Sequence, residues 1–195
     1  YKKVARAELE AIQTALENYK AKYGAYPPAN QNGDATYAPN VPVMYASQFP
    51  QLYYELAGTT FNPSTKTYTT LDGRETITET EVNKAYGVGG LVNTSQAGGG
   101  DDSRIAKNFL INLRPKQTST VSNNTVLTTA LVASIGGPDE TYTPLKVSGL
   151  NPIRYRYPGV NNPNGYDLWI QIKFKNKTHL VCNWNRQIIV NSSLP

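Results

Sequence analysis

The most regular hydrophobic pattern in the chain lies near its beginning. Apolar side chains recur at intervals of three and four residues between Leu9 and Tyr23, with polar side chains between them. This is the repeat of an amphipathic helix. The apolar stripe consists of Leu9, Ile12, Leu16, Tyr19 and Tyr23. The pattern therefore predicts a helix over residues 4–23 whose stripe packs on a hydrophobic core.

Both ends of this predicted helix carry a signal. Gly24 can end it, because glycine adopts the left-handed conformation at little cost, and Pro27-Pro28 prevents it from resuming. At the other end, residues 1–5 contain no Ser, Thr, Asp or Asn that could act as an N-cap. We therefore expect this helix to continue one that begins upstream.

A second clear pattern lies near the other end of the chain, where residues 166–175 alternate strictly. One side carries Tyr166, Leu168, Ile170, Ile172 and Phe174, and the other carries Asp167, Trp169, Gln171, Lys173 and Lys175. A period of two predicts a β-strand. Further strands are predicted at 153–157, 178–184 and 187–190, separated by turn-forming sequences. We therefore expect an antiparallel sheet with one face in water. The helix should cover the apolar face of this sheet, which gives an α+β fold.

The region between these patterns, residues 29–148, is mixed. It predicts a loop at 29–42, a helix at 48–57 capped by Ser47 and ended by Gly58, a hairpin at 68–77 around Asp72-Gly73, a mobile glycine-rich loop at 85–100, a helix from Asp101 to Leu113, extended or irregular chain at 116–133, and a turn at 136–139. No boundary separates these elements. We expect a single domain over 1–195, with the helix at 1–28, an elaborated connection at 29–148 and the sheet at 149–195.

Composition and charge narrow the classes of function. Basic residues outnumber acidic ones by 19 to 14, which gives a net charge of +5, but they do not gather into a patch interleaved with aromatic residues. Nucleic-acid binding is therefore disfavoured. Cys182 is the single cysteine, which excludes an intrachain disulfide and a multi-cysteine metal site. No apolar run in the sequence is long enough to predict a transmembrane helix.

The sequence offers little material for catalysis. His179 is the single histidine and is expected at a strand surface, and Cys182 falls on the opposite side of that strand. The carboxylate groups are Asp101-Asp102, Asp139-Glu140, and Glu75, Glu79 and Glu81. They could serve a glycosidase only if the fold placed two of them across a cleft. Neither glycine-rich stretch has the spacing of a phosphate-binding loop. We expect a protein that is not an enzyme and uses no cofactor.

Two segments resemble the pseudopilins of type II secretion and the wider type IV pilin-like family, in particular the pattern of the family's major subunit. The first is residues 5–28, a helix rich in Ala, Leu and Ile that ends in Gly24 and Tyr26-Pro27. The second is residues 150–159 followed by residues 164–169. Its matching positions are Tyr155, Tyr157, Pro158, Gly159, Gly165, Tyr166, Asp167, Leu168 and Trp169. The resemblance implies an upstream apolar helix that anchors the protein in the bacterial inner membrane and later packs in a filament core.

The chain also departs from that family pattern. Asn151 and Ile153 stand where the family usually has Asp and Trp-Gly, and plain strand replaces the acidic loop that helps build a calcium site. Calcium needs several oxygen ligands, and Asp167 alone is a weak candidate. We therefore expect no metal, with calcium disfavoured. The length of the connection at 29–148 suggests a specialised subunit.

Two hypotheses of function remain. In the first, the chain is a non-catalytic periplasmic subunit of a secretion pseudopilus or pilus-like filament. Its partners are other pseudopilins, the assembly machinery and the inner membrane, and its protomer contacts include Lys2, Lys3, Arg6 and Glu10. In the second, it is a pilin-like module that binds a carbohydrate, secreted cargo or DNA. The 14 tyrosines leave that alternative open, although tyrosine also suits half-buried sheets.

Overall fold

The computed structural model describes residues 1–29, 50–98, 105–123, 125–135, 141–142, 147–174 and 177–190. Within these ranges the protein is an α+β structure. Its helices are α1 (Lys2–Tyr23), α2 (Leu52–Ala57) and α3 (Glu79–Tyr86), with a 3-10 turn at Pro115–Gln117. Its strands are β1 (Thr59–Asn62), β2 (Thr67–Thr70), β3 (Thr76–Thr78), β4 (Thr94–Gln96), β5 (Thr118–Asn123), β6 (Val126–Leu131), β7 (Thr141–Tyr142), β8 (Val147–Ser148), β9 (Arg154–Arg156), β10 (Asp167–Phe174), β11 (Lys177–Cys182) and β12 (Ile189–Val190).

The strands form two four-stranded sheets and two two-stranded ribbons. The C-terminal sheet has the order β12-β11-β10-β9 and is antiparallel throughout. The other four-stranded sheet has the order β3-β2-β1-β4 and is mixed, because β4 pairs parallel to β1. The ribbons are β5-β6 and β7-β8, and a bridge between Val132 and Pro152 links the chain after β6 to the start of the C-terminal sheet region.

Helix α1 begins close to the predicted residue and ends at the predicted glycine. Gly24 adopts φ 80° and ψ −13°, and its N–H bonds the carbonyl oxygen of Lys20, so the left-handed helix end expected of glycine is present. The buried face of α1 contains the predicted Leu9, Ile12, Leu16 and Tyr19, together with Ala5, Glu8 and Ala15. This face lies on β10 and β11 and also reaches α2.

The C-terminal sheet differs from prediction at β10, where both faces are covered from Asp167 to Gln171. Leu168, Ile170 and Ile172 point to the α1 side, as the alternation predicts. Asp167, Trp169 and Gln171, predicted to face water, are each no more than 2% exposed. Their face is covered by a small cluster in which Trp169 packs with Leu180, Cys182, Trp184 and Ile189. The strand alternates as predicted, but its predicted solvent face is buried from Asp167 to Gln171, and Lys173 is its exposed member among the described side chains.

Three elements predicted in the middle of the chain are present. The hairpin around Asp72-Gly73 exists as β2-β3, with Tyr68 opposite Ile77. The short helix that ends at Gly58 exists as α2, where the Gly58 N–H bonds the carbonyl oxygen of Tyr54. The extended chain expected at 116–133 is the β5-β6 ribbon. Several predicted features lie outside the described residues: the loop at 30–42, the Ser47 cap, the Asp101 helix start, the turn at 136–139, and Asn176 of the hairpin turn expected at Asn176-Lys177.

Two other predictions in this region are wrong. Residues 105–110 are not helical, because their backbone groups bond neighbouring segments: the Phe109 N–H bonds the Leu56 carbonyl oxygen at 2.8 Å, and the Lys107 N–H bonds Asn93 Oδ1 at 2.9 Å. The stretch at 85–100, predicted as a glycine-rich loop, contains the end of α3 and strand β4. Helix α3 starts at a capping box in which Thr78 and Glu81 bond each other's backbone N–H.

Candidate functional site

The two segments that carry the sequence resemblance meet in the structure, although about 130 positions separate them in the chain. Tyr155 is fully buried on β9, and its hydroxyl donates to the carbonyl oxygen of Pro27 at 2.7 Å. The ring of Tyr26 contacts the edges of Tyr157 and Tyr166, with centroids 5.5 and 4.7 Å apart. The chain beyond α1 is thereby fixed to the C-terminal sheet. We call this contact region, formed by Tyr26, Pro27, Tyr155, Tyr157 and Tyr166, the tyrosine junction.

A carboxylate on α1 completes the tyrosine junction. Glu17 accepts hydrogen bonds from the hydroxyl of Tyr26 at 3.0 and 3.1 Å and from that of Tyr166 at 3.3 Å. The ammonium of Lys20 lies 4.5 Å from the centroid of the Tyr26 ring. Burial, followed by the charge of Glu17, raises the pKa of Tyr166, so this hydroxyl stays a donor at neutral pH. Edge-to-face aromatic pairs each contribute about 0.5–1.5 kcal/mol beyond their buried area.

Asp167 organises the loop that joins β9 to β10. One of its oxygens accepts from the backbone N–H of Val160 and Asn161, both at 2.8 Å, and from the Asn161 side-chain amide at 3.0 Å. Its other oxygen accepts from the Asn162 N–H at 2.9 Å. Asp167 is 1% exposed. Both oxygens of Asp167 are thus engaged by N–H groups of the loop, and its sequence assignment as a weak calcium candidate stays a prediction.

The glycine of the Pro158-Gly159 turn is required by the same loop. A Cβ at Gly159 would lie 2.7 Å from the Asn162 carbonyl oxygen and 2.7 Å from Asp167 Oδ1. Gly165, at the other end of the loop, has no atom within 4 Å of its Cβ position. The Gly159 N–H bonds the Gly165 carbonyl oxygen at 2.9 Å and closes the loop. Only the first of the two motif glycines is therefore needed for space.

The four residues proposed as protomer contacts differ in their surroundings. Lys3 and Glu10 are exposed, and Lys2 is partly buried. Arg6 is engaged within the chain: its guanidinium donates to the carbonyl oxygens of Cys182 at 2.6 Å, and of Asn185 and Arg186 at 3.2 Å each. Arg6 thus holds the turn after β11 against α1, a structural role that the sequence did not indicate.

Glu8, another charged residue of α1, is buried on the face that packs on the sheet. It is 5% exposed and accepts from the backbone N–H of Ser134 at 3.1 Å and from the Ser134 hydroxyl. The periodicity gave no signal for this contact, because a glutamate in an amphipathic helix is normally assigned to the solvent face.

A buried polar network joins α1 to the mixed-sheet side of the molecule. Glu55 on α2 is fully buried, and its carboxylate accepts from the N–H groups of Val92 at 2.9 Å and Asn93 at 3.0 Å, and from the Tyr19 hydroxyl at 3.0 Å. The Asn93 side chain in turn donates to the carbonyl oxygens of Glu55 and Lys107, both at 2.6 Å, and accepts from the Tyr23 hydroxyl at 2.6 Å. Burial raises the pKa of Glu55, although its three donors oppose the shift. Sequence reasoning missed this network, because its residues lie far apart in the chain.

The residues considered for catalysis are placed as follows. His179 is 4% exposed, so the expected surface position is wrong; it shares the β11 face of Val181, which packs in the main core. Cys182 is fully buried on the opposite face, and burial raises the pKa of its thiol. Glu81 caps α3, Glu79 lies 4.0 Å from Lys66, and Glu75 lines a surface cleft. Asp101-Asp102 and Asp139-Glu140 lie outside the described residues.

Within the described residues, no three His, Cys, Asp or Glu side chains gather as a metal site would require. No helix in the described ranges combines the length and hydropathy needed to span a bilayer.

Comparisons with protein-family models, with curated proteins and with solved structures found no match to this chain.

Proposed function

We propose that this chain is the periplasmic domain of a pseudopilin or related pilin-like subunit, and that it serves as a non-catalytic part of a filament. The observation that carries the proposal is the tyrosine junction. Two segments chosen from the sequence alone, for their likeness to one family, lie in direct contact through Tyr155 and Pro27 and through Tyr26 and Tyr166. This contact supports the proposal, because the segments that resemble the family in sequence are also neighbours in the fold.

The geometry of α1 also supports this function. Its buried face lies on the sheet, while the exposed side of its first half carries Lys3, Val4, Ala7, Glu10 and Ala11. In the proposed assembly this strip continues an upstream apolar helix and packs against neighbouring subunits. Such contacts join different surfaces of identical subunits, so they propagate into a helical array instead of closing into a ring. The sheets lie on the outside of the array.

The first experiment examines the native protein in its own cells. Its mature N-terminus is determined by mass spectrometry of the membrane fraction. The proposal expects an apolar segment of about twenty residues upstream of Tyr1, enough to cross a bilayer, and recovery of the protein with membranes or sheared filaments. A native chain that starts near Tyr1 and is recovered without membranes contradicts the proposal.

The second experiment tests the α1 contact directly. Cysteine is introduced at Ala11, on the exposed strip, or at Ser64, on the exposed turn between β1 and β2, in the native protein with Cys182→Ala. The Ala11 variant also receives a second cysteine, on the side of α1 that would face Ala11 of the neighbouring subunit. Oxidation in cells should then give a ladder of cross-linked species. The Ser64 control should remain monomeric. Equal cross-linking at both positions would point to collision instead of assembly.

A further inference from the structure

A surface cleft lies between α2, the loop that joins β2 to β3, and the segment that leads into β5. Its volume is about 220 Å³, below the range usual for drug-sized ligands. Its apolar lining includes Tyr53, Leu110 and Pro115, and its polar lining includes Glu75, Asn112 and Arg114. None of these residues belongs to the tyrosine junction or to the exposed strip of α1.

Backbone hydrogen bonds hold the walls of the cleft together. The Leu71 N–H bonds the Gly58 carbonyl oxygen at 3.0 Å, which ties the β2-β3 loop to the end of α2. On the other side, the Phe109 N–H bonds the Leu56 carbonyl oxygen at 2.8 Å. The approach at Gly58 is close enough that a Cβ there would lie 2.8 Å from the Lys107 carbonyl oxygen. The cleft is therefore formed before any ligand arrives, which reduces the entropy that binding must overcome.

The charges of the cleft are divided between residues paired within the chain and residues that are not. Asp72 pairs with Arg74, with 3.7 Å between Oδ2 and Nε, and also accepts from the Thr70 hydroxyl at 2.7 Å. Glu75 and Arg114 line the same cleft, and neither takes part in an ion pair within 4.0 Å among the residues that the structure describes. One acidic and one basic group without an ion-pair partner among the described residues thus line a single small cleft, together with the apolar side chains of Tyr53, Leu110 and Pro115.

We propose that this cleft binds a small zwitterion, an α-amino acid with an apolar side chain. Its carboxylate would pair with the Arg114 guanidinium, which can offer two parallel N–H donors, and its ammonium would pair with Glu75. Its side chain would lie against the apolar lining residues, where burial is favourable. This assignment uses both charges and the apolar part of the lining together.

Other ligand classes fit the lining less well. A saccharide usually stacks on an aromatic ring, but Tyr53, at 5% exposed, offers only a small edge of its ring, which suffices for contact with an aliphatic side chain and not for stacking. A simple anion such as phosphate would meet Arg114, but it would also face the carboxylates of Asp72 and Glu75. A cation would meet the opposite difficulty at Arg74 and Arg114.

The test is isothermal titration of the purified protein with L-leucine, N-acetyl-leucine, leucinamide, glucose and inorganic phosphate. Leucine should bind, and each blocked derivative should bind about 10- to 100-fold more weakly, because each lacks one charge-assisted contact. Glu75→Gln should lower the affinity for leucine to that for N-acetyl-leucine, and it should leave the affinity for N-acetyl-leucine unchanged. Arg114→Gln should lower the affinity for leucine to that for leucinamide, and it should leave the affinity for leucinamide unchanged.

Matched controls and a folding check accompany these variants. Lys116→Gln and Glu10→Gln remove exposed charges outside the cleft and should leave the leucine affinity unchanged. Because Glu75 and Arg114 are surface residues, their variants should unfold at the wild-type midpoint. The proposal is overturned if leucine shows no heat of binding at millimolar concentration, if both cleft variants bind leucine as the wild type does, or if glucose or phosphate binds in its place.

Discussion

At the scale of single residues, Glu55 shows how a buried charge is accommodated and what it costs. Three donors satisfy its oxygens, yet burial still raises its pKa above the ordinary value of 4.5. A carboxyl group whose pKa is higher in the folded state than in the unfolded state binds its proton more tightly when the protein is folded, so protonation stabilises the fold. Its contribution to stability is therefore complete below the ordinary pKa and declines as the pH rises through the raised one.

The substitution Glu55→Gln should make this pH dependence visible. The variant loses the titration and places an amide N–H₂ against one of the backbone donors, so we expect a loss of about 1–3 kcal/mol at low pH. The loss should shrink as the pH rises from about 4 toward neutrality, because only the wild type acquires a buried charge. Urea unfolding at several pH values measures it. A difference between the two proteins that stays constant with pH would contradict the raised pKa.

Gly159 and Gly165 provide a matched pair of residue-scale substitutions within one loop. Gly159→Ala places a methyl group 2.7 Å from Asp167 Oδ1 and from the Asn162 carbonyl oxygen, so the loop must shift and its N–H bonds to Asp167 weaken. We expect a loss of about 1–3 kcal/mol, as for other overpacked sites. Gly165→Ala meets no atom within 4 Å and should change the unfolding free energy little. Equal losses would mean that backbone freedom, not space, is the reason for glycine at both positions.

At the scale of elements, α3 tests whether a local signal fixes a helix. The Thr78 hydroxyl accepts from the Glu81 N–H at 3.2 Å, and a Glu81 oxygen accepts from the Thr78 N–H at 2.8 Å. Thr78→Ala should therefore cost about 1 kcal/mol in thermal or chemical unfolding. Thr80→Ala, in the first turn of the same helix and exposed, serves as the control and should change little. If the two substitutions cost the same, helix propensity and not the cap determines the start of α3.

The elements that sequence reasoning found are those whose signal is local and repeated. Five regularly spaced apolar positions and a terminal glycine predict α1, and eight alternating residues predict β10. Gly58 likewise indicates the end of α2, and Asp72-Gly73 indicates the turn of the β2-β3 hairpin. Helix α3 could have been found from Thr78 and Glu81, which have capping-box spacing directly before Val82, a buried residue.

The elements that sequence reasoning missed are decided by contacts distant in the chain. Residues 105–113 have a helical spacing of apolar side chains, but their N–H groups bond Leu56 and Asn93, so tertiary contacts override the pattern. The burial of Asp167, Trp169 and Gln171 has the same kind of cause, because the loop at 159–162 and Trp184 cover a face that alternation assigned to water. The candidate site divides similarly: its tyrosines and Pro27 were identified from the sequence, but Glu17 was not, and neither was the hydrogen bond from Tyr155 to the Pro27 carbonyl oxygen.

At the scale of the whole molecule, α1 connects regions that no strand pairing joins. Leu9 and Leu16 belong to one apolar cluster that also contains Leu56 and Ile77 from the mixed-sheet side and Leu168 and Ile170 from the C-terminal sheet. The Tyr19–Glu55 bond adds a polar link in the same direction. The two four-stranded sheets therefore share one core, and they should unfold together.

Leu16→Ala tests this shared core. Leu16 is fully buried, so its truncation should cost about 2–5 kcal/mol. The loss should appear equally in two probes. Fluorescence of Trp169 and Trp184 reports the C-terminal sheet, and amide hydrogen exchange in β1 and β2 reports the mixed sheet. Val4→Ala, on the exposed strip and 39% exposed, is the control and should stay within about 0.5 kcal/mol of the wild type.

If exchange in β1 and β2 keeps its wild-type free energy while the tryptophan transition moves, the sheets are separate cooperative units and α1 belongs to only one. Parallel shifts in both probes would mean that the two sheets unfold as one cooperative unit through α1, so that in the proposed assembly a load on α1 would act on both sheets together.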